Sequence, residues 1–179
     1  MKQKMKQNLK FIFFRSLAVI ILLSFIRCNK VDDPGGLFLP EGFASTVYVD
    51  AIEEKVRHMI VNDKGDLYVK LRRQGEDGAI AAIRDTNKDG VKDSLIKFGN
   101  YHMIQRGSYS TGIAIYKGYL YFSSELTVYR YKLDPDNLVP SGDPEIIVHD
   151  DHAHGSHEHM GKPIAIDDKA YIYVPFGSP

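Results

Sequence analysis

The sequence predicts an all-β fold, a β-propeller built from four-stranded antiparallel blades. A short hydrophobic phrase occurs three times, as Leu67-Tyr68-Val69, Leu120-Tyr121-Phe122 and Ile172-Tyr173-Val174, each time after a turn that contains a lysine. The central tyrosines follow one another at intervals of 53 and 52 residues. This interval is close to the repeat of propeller blades, roughly 40 to 50 residues of four strands each. From Phe43 onward, short β-type runs alternate with Gly, Asp, Asn and Pro turns, which favours the same fold class.

Eleven short runs have the composition of β-strands, and no run has the periodicity of an amphipathic helix. These runs would make about two to three blades, and we expect residues 39–179 to be the N-terminal portion of a longer, six-bladed propeller. The predicted strands are Ser45–Val49, Val56–Val61, Leu67–Leu71, Ile80–Arg84, Ser94–Phe98, Gly112–Tyr116, Tyr119–Ser123, Thr127–Leu133, Glu145–Val148, Pro163–Ile166 and Tyr171–Val174.

The composition is that of an ordinary globular protein. Of the 179 residues, 44% are hydrophobic and 26% are charged, with 23 basic against 23 acidic side chains. A formal net charge of zero argues against a nucleic-acid partner, because proteins that bind polyanions concentrate Lys and Arg to displace counterions.

Residues 1–27 have the character of a signal peptide. Lysines at positions 2, 4, 6 and 10 form a basic region, and Ser16–Ile26 form an apolar region too short to span a bilayer comfortably. Cys28, the single cysteine, follows directly and resembles the lipid-modified first residue of a bacterial lipoprotein. Residues 28–38 then form a tether that contains Asp33-Pro34-Gly35-Gly36. A plain signal peptide or an uncleaved anchor is the alternative.

This resemblance implies an exported protein, periplasmic or at the outer membrane of a Gram-negative bacterium. The membrane would then be a partner only through the lipid on Cys28.

The segment from Asp85 to Asp93 has the oxygen spacing of a calcium loop. Asp85, Asn87, Asp89 and Asp93 occupy positions one, three, five and nine, and Val91 at position seven would offer its backbone carbonyl. The flanks are predicted strands, so the loop resembles the calcium loops inserted in hairpins of integrin-type propellers, where calcium has a structural role. The alternative is a hairpin turn that binds no ion.

A second cluster lies in residues 149–159, which hold five of the seven histidines of the chain. Imidazole suits zinc, copper or nickel, but the spacing matches no defined zinc motif. A solvated loop is the simpler interpretation of most of this stretch.

The last histidine belongs to a longer pattern. The stretch His159-Met160-Gly161-Lys162-Pro163-Ile164-Ala165-Ile166-Asp167-Asp168-Lys169, followed by Ile172-Tyr173-Val174 and Gly177, resembles the quinoprotein sugar dehydrogenases. These are soluble glucose and sorbosone dehydrogenase-like propellers that use pyrroloquinoline quinone (PQQ). The resemblance extends to Thr111-Gly112-Ile113-Ala114 and to Leu39-Pro40-Glu41-Gly42-Phe43.

The resemblance implies a function. His159 would be the general base that takes a proton from a sugar, aldehyde or alcohol substrate while hydride passes to PQQ, with Ca²⁺ as a second cofactor and an electron acceptor such as a cytochrome as a partner. The family's other cofactor ligands lie on later blades, so the PQQ-binding residues stay unassigned. The alternatives are a non-catalytic surface lipoprotein that binds a glycan or a protein, and a periplasmic metal-handling protein.

Overall fold

The computed structural model describes residues 36–99, 111–150 and 161–175, and the described residues contain strands, turns and extended segments without a helix. The signal peptide, Cys28, most of the tether and His159 lie outside them. The chain divides into two units, Met1–Ser45 and Thr46–Pro179. In the described part of the first unit, a turn brings the Phe43 amide to the Pro40 carbonyl at 3.2 Å. Within the described ranges, no helix has the length and apolarity to cross a membrane.

The second unit is built from antiparallel sheets whose strands follow chain order. The first sheet has the order β1-β2-β3-β4 and the second β5-β6-β7-β8, while β9 and β10 form a hairpin. The all-β prediction, with four-stranded antiparallel sheets of blade topology, is therefore confirmed. The strands are β1 (Val56–Val61), β2 (Leu67–Gly75), β3 (Gly78–Arg84), β4 (Ser94–Phe98), β5 (Ile113–Tyr116), β6 (Tyr119–Ser123), β7 (Thr127–Lys132), β8 (Glu145–His149), β9 (Ala165–Ile166) and β10 (Ile172–Tyr173).

One predicted strand is wrong, because Ser45–Val49 joins no sheet. Its hydrophobic residues have another use: Tyr48 and Val49 pack on the face of the first sheet that carries Val69 and Leu71. The Tyr48 carbonyl accepts a hydrogen bond from the Lys92 amide at 3.0 Å. β-branched and aromatic residues favour an extended, half-buried chain. A segment that packs on the face of a sheet has this environment without pairing to a strand.

The repeated phrase occupies the same place in each sheet, since it falls on the second strand every time. In the first sheet, Tyr68 faces the second sheet, where Leu120 and Phe122 meet it in one buried cluster. In the second sheet, Tyr121 faces the hairpin of β9 and β10. In both four-stranded sheets the tyrosine thus points to the following sheet, and its apolar neighbours point to the opposite face, as strand alternation requires.

The turns before the first and third copies share one hydrogen-bond pattern. Asn62 Oδ1 accepts the amides two and four residues ahead at 3.0 and 2.9 Å. Asp167 Oδ1 does the same at 3.0 and 2.8 Å. The fourth residue of each turn has a left-handed backbone, with φ of 91° at Gly65 and 69° at Ala170. The middle copy instead uses two consecutive left-handed residues, Lys117 and Gly118, as a tight hairpin turn does.

Aromatic residues dominate the core between the first two sheets. Phe122 stacks on Tyr129 and Tyr131, with ring centroids 5.2 and 5.5 Å apart. The Tyr68 hydroxyl donates a hydrogen bond to the Leu138 carbonyl at 3.0 Å, and burial raises the pKa of Tyr68 to about 12. Such aromatic pairs each contribute about 1 kcal/mol beyond the area that they bury.

The first strands of the sheets lie side by side, β1 next to β5 and β5 next to β9. In a propeller, the first strand of each blade is the one nearest the axis, so this adjacency agrees with the blade topology. It also brings the starts of β1 and β5 together.

Candidate functional site

Polar residues that sequence reasoning did not select meet at one end of these sheets. We name it the polar end and define it as the end where β1, β5 and β7 begin and β6 and β8 finish. Buried or half-buried polar side chains concentrate there, in contrast to the aromatic core between the sheets. Its residues are His58, Lys70, Thr111, Gly112, Ser123, Thr127, Lys162 and the exposed His149.

His58 links the first two sheets at this end. Its Nδ1 lies 2.8 Å from the carbonyl oxygen of Thr111, the second residue before β5. Because a carbonyl only accepts hydrogen bonds, Nδ1 is the donor and carries a proton. In the neutral ring, Nε2 then has a free lone pair.

The backbone around His58 is irregular. Val56 pairs with Leu71 and His58 with Lys70, so Arg57 is an extra residue in β1. On the other side of β2, Lys70 pairs with Ile80 while Gly75 pairs with Gly78, so the register changes again between Lys70 and Gly75. β-Bulges of this kind turn side chains away from the regular alternation and are frequent beside functional sites.

Lys70 lies fully buried where these two register breaks meet. Its Nζ donates a hydrogen bond to the Leu71 carbonyl at 2.9 Å, at the point where the ladder with β3 is interrupted. Burial lowers the pKa of the Lys70 amine to about 7, because desolvation disfavours the charged form. Lys70 is therefore an amine that changes charge near neutral pH inside the sheet stack.

Ser123 joins the second sheet to the segment that precedes β9. Its hydroxyl donates to the Lys162 carbonyl at 2.7 Å and accepts the Gly112 amide at 3.1 Å. A Cβ atom on Gly112 would lie 2.0 Å from the Lys162 carbonyl oxygen, so only glycine allows this approach. The Thr111-Gly112 pair of the family resemblance is thus a packing requirement of the polar end.

His149 ends β8 at the same edge. Its Nδ1 lies 2.9 Å from the Thr127 hydroxyl, its cross-strand neighbour. His149 is the one member of the histidine cluster that the structure describes, since residues 151–160 lie outside the described ranges. Its partner is a threonine of the adjacent strand.

His159, the predicted base, lies outside the described residues, and its catalytic role stays a prediction. The described chain resumes at Gly161, and Lys162 lies at the polar end with 8% of its surface exposed. Lys162 is three residues beyond His159 in the sequence.

The predicted calcium loop joins β3 to β4 at the opposite end of the first sheet, and its flanking strands are as predicted. Its oxygens accept hydrogen bonds from the loop itself. Asp85 accepts the Lys88 and Gly90 amides at 2.7 and 2.8 Å, and Asp89 accepts the Val91 amide at 2.8 Å. The Asp93 carboxylate accepts the amide and the hydroxyl of Thr86, which hold its pKa below the usual value.

These interactions describe a loop that closes on itself. In the described part of the chain, no group of three or more His, Cys, Asp or Glu side chains is arranged to hold a metal ion. The oxygen ligands of the prediction are present, but they do not converge on one point in this arrangement. The calcium site therefore stays a prediction.

Sequence reasoning missed His58, Lys70 and Ser123. Lys70 carried a usable signal, because it interrupts the apolar run Leu67-Tyr68-Val69-Lys70-Leu71 on the face that Tyr68 occupies. A lysine is almost never fully buried without a partner, so its position predicts a polar contact inside the stack. His58 and Ser123 carried no such signal, since their partners are distant in sequence.

Comparison with known proteins found few relatives. No protein-family model matches the chain, and no curated protein matches it. Among solved structures, the chain is similar to the holo form of the PQQ domain of pyranose dehydrogenase from Coprinopsis cinerea, at 18% sequence identity and a TM-score of 0.49. The similarity covers 65% of this chain and 26% of that one, so the chain spans about a quarter of the length of that structure.

Proposed function

We propose that the chain is part of an exported quinoprotein dehydrogenase that oxidises a sugar, or a related aldehyde or alcohol, with pyrroloquinoline quinone. The observation that carries the proposal is the pattern from His159 to Gly177, which resembles the PQQ-dependent sugar dehydrogenases and falls in a chain with blade topology. Lys162 belongs to the described part of that pattern. It lies at the polar end next to Thr111-Gly112, the second stretch that carries the resemblance.

The polar end has the chemistry that an oxygen-rich, anionic quinone requires. Lys162, the imidazole of His58 and hydroxyl groups collect there, whereas the core between the sheets is aromatic and aliphatic. Lys162 is the described cation nearest in sequence to the proposed base, and a lysine suits a carboxylate of the quinone. We assign no further cofactor contact to the described residues.

When bound, the quinone supplies the redox chemistry by accepting hydride from the substrate carbon. The task of the protein is then to orient the substrate and to move one proton. We propose that His159 takes the proton of the hydroxyl that is oxidised, since imidazole is the side chain most often used for proton transfer near neutral pH. The electrons leave to an external acceptor such as a cytochrome.

The test of this proposal uses the complete native protein reconstituted with PQQ and calcium. His159→Ala is expected to lower the rate of dye-coupled aldose oxidation by roughly a hundred- to ten-thousand-fold, the contribution of a positioned general base, while quinone binding persists. Alanine variants of His152, His154 and His157 serve as matched controls and are expected to oxidise aldoses at near-normal rates.

Equal damage from all four substitutions would support a metal-binding histidine cluster instead. Absence of aldose oxidation by the wild-type protein would favour the non-catalytic surface protein that binds a glycan or a protein partner.

We also propose that Cys28 carries a lipid that anchors the protein to a bacterial membrane. The support is its position directly after the apolar region at residues 16–26. Wild-type protein is expected to partition into detergent and to incorporate a palmitate analogue, and Cys28→Ala should lose both properties. Labelling that is unchanged in Cys28→Ala would contradict the anchor.

A further inference from the structure

Within the described residues, one ring nitrogen of His58 has a hydrogen-bond partner and the other has none. Nδ1 donates to the Thr111 carbonyl at 2.8 Å. For Nε2, the described part of the chain provides no hydrogen-bond partner. His58 as a whole is half-buried, so its side chain is not enclosed in the core.

The place of His58 in the fold is also well defined. His58 lies in β1, the first strand of the first sheet, and its partner Thr111 is the second residue before the first strand of the second sheet. The bulge at Arg57 sets where the His58 side chain emerges from the strand. A backbone carbonyl that fixes the orientation of a histidine is a common arrangement where the second nitrogen meets a ligand.

The ligand class that suits Nε2 is a neutral molecule with hydroxyl groups. Lys70 pairs with His58 across the strands and is enclosed by protein, so it does not present its amine to a ligand. The interaction open to Nε2 in the neutral ring is to accept a hydrogen bond, and hydroxyl groups are the common neutral donors of small molecules.

We propose that His58 is a ligand-binding residue, whose Nε2 accepts a hydrogen bond from a hydroxyl group of a sugar bound at the polar end. The ligand class rests on the proposed function, whereas the orientation of the ring does not. His58 then holds the substrate in place, and the proton transfer belongs to another residue. No step of the oxidation passes through it.

Two amide substitutions separate the roles of the two nitrogens. Asn places its amide where Nδ1 lies and can still donate to the Thr111 carbonyl, so His58→Asn tests the ring without Nε2. Gln extends to the position of Nε2, so His58→Gln keeps an acceptor there and loses the Thr111 hydrogen bond. If His58 had only a structural role, His58→Asn would behave as the wild type in every measurement.

The experiment is a titration of the full chain with D-glucose in the absence of quinone, observed on the histidine ring resonances by NMR. Wild-type His58 is expected to show the Nδ1–H tautomer and to shift on glucose addition. His58→Asn should keep its melting temperature and bind glucose roughly tenfold more weakly, as the loss of one hydrogen bond predicts. His58→Gln should melt lower but bind glucose better than His58→Asn. Lys132→Met, at the exposed end of β7 that lies away from the polar end, is the control and should bind glucose as the wild type does.

Three results would overturn the inference: an Nε2–H tautomer at His58, no effect of glucose on its ring, or wild-type glucose affinity in His58→Asn. Failure of the proposed function looks different. If the complete protein binds no quinone while glucose still shifts the His58 ring, the oxidation is wrong and the sugar contact stands.

Discussion

The Asp85–Asp93 loop and the polar end are both rich in polar side chains, but they are stabilised over very different distances along the chain. Asp85 and Asp89 find amide donors two to five residues away. At the polar end, Ser123 and Lys162 are 39 residues apart, and His58 and Thr111 are 53 apart. These hydrogen bonds of the loop therefore depend on neighbours in the chain, whereas the polar end exists only when the sheets have assembled. Substitutions should be costly at the polar end and mild in the loop.

The largest effect is expected at Gly112. In Gly112→Ala the new Cβ would meet the Lys162 carbonyl at 2.0 Å and the Ser123 hydroxyl at 2.6 Å, so the backbone must move. We expect a loss of about 3 kcal/mol in the free energy of unfolding, measured by urea denaturation. Gly161→Ala is the control, because its Cβ would meet no atom within 4 Å. Equal losses in the two variants would show that the polar end is not closely packed.

A smaller loss is expected when Ser123 is replaced. Ser123→Ala removes the hydroxyl that serves both the Lys162 carbonyl and the Gly112 amide, and it leaves these buried groups without this partner. The free energy of unfolding should fall by about 2 kcal/mol, the usual cost of unsatisfied buried polar groups. Ser94→Ala, at the half-buried start of β4, should change it by less than about 0.5 kcal/mol. A neutral Ser123→Ala would contradict the long-range bridge.

The buried amine of Lys70 predicts a dependence of stability on pH. Its pKa is about 7 in the folded chain and 10.5 in the unfolded one, so between these values the unfolded state binds the extra proton. Stability must then rise with pH, by roughly 1.4 kcal/mol per pH unit from this group, and the penalty is fully present below pH 7. Lys70→Met should remove this slope, as followed by denaturant unfolding between pH 7 and 9.

Lys132→Met, an exposed lysine of β7, provides the control and should keep the wild-type slope. A slope that persists in Lys70→Met would mean that the Lys70 amine is solvated.

The mildest effect is expected in the loop. In Asp89→Ala the Val91 amide and the Asn87 side chain lose an acceptor, but both are exposed and water replaces it. Without calcium, the free energy of unfolding should fall by less than about 0.5 kcal/mol. If the loop binds calcium, the ion should raise the wild-type melting temperature and leave Asp89→Ala unchanged, because only the folded state offers the site. If calcium leaves the wild-type melting temperature unchanged, the loop is a turn that binds no calcium.

Much of the fold could be predicted from the sequence. Ten of the eleven predicted strands overlap an observed strand, three of them with the same bounds (Val56–Val61, Ser94–Phe98 and Tyr119–Ser123), and the three tyrosines fall on equivalent strands. The prediction worked because alternation and turn chemistry act within a few residues. Ser45–Val49 failed because its apolar residues are buried against a sheet without joining it.

Less of the site was predictable. The pattern around His159 selected the neighbourhood of Lys162, and Thr111-Gly112 was recognised as part of the same resemblance. His58 and Ser123 were not recognised, since a single histidine or serine in a strand has no local signature. Lys70 could be recognised only because it is a lysine within an otherwise apolar run.

The sequence by itself determined the strands, the turns at Asn62 and Asp167, and the repeat of a tyrosine on each second strand. These depend on interactions between neighbours in the chain. The tertiary structure decided which buried polar groups meet, because the partners of His58 and Ser123 are set by how one sheet faces the next. It also decided the charge of Lys70, since the pKa of an amine depends on how completely water is excluded around it.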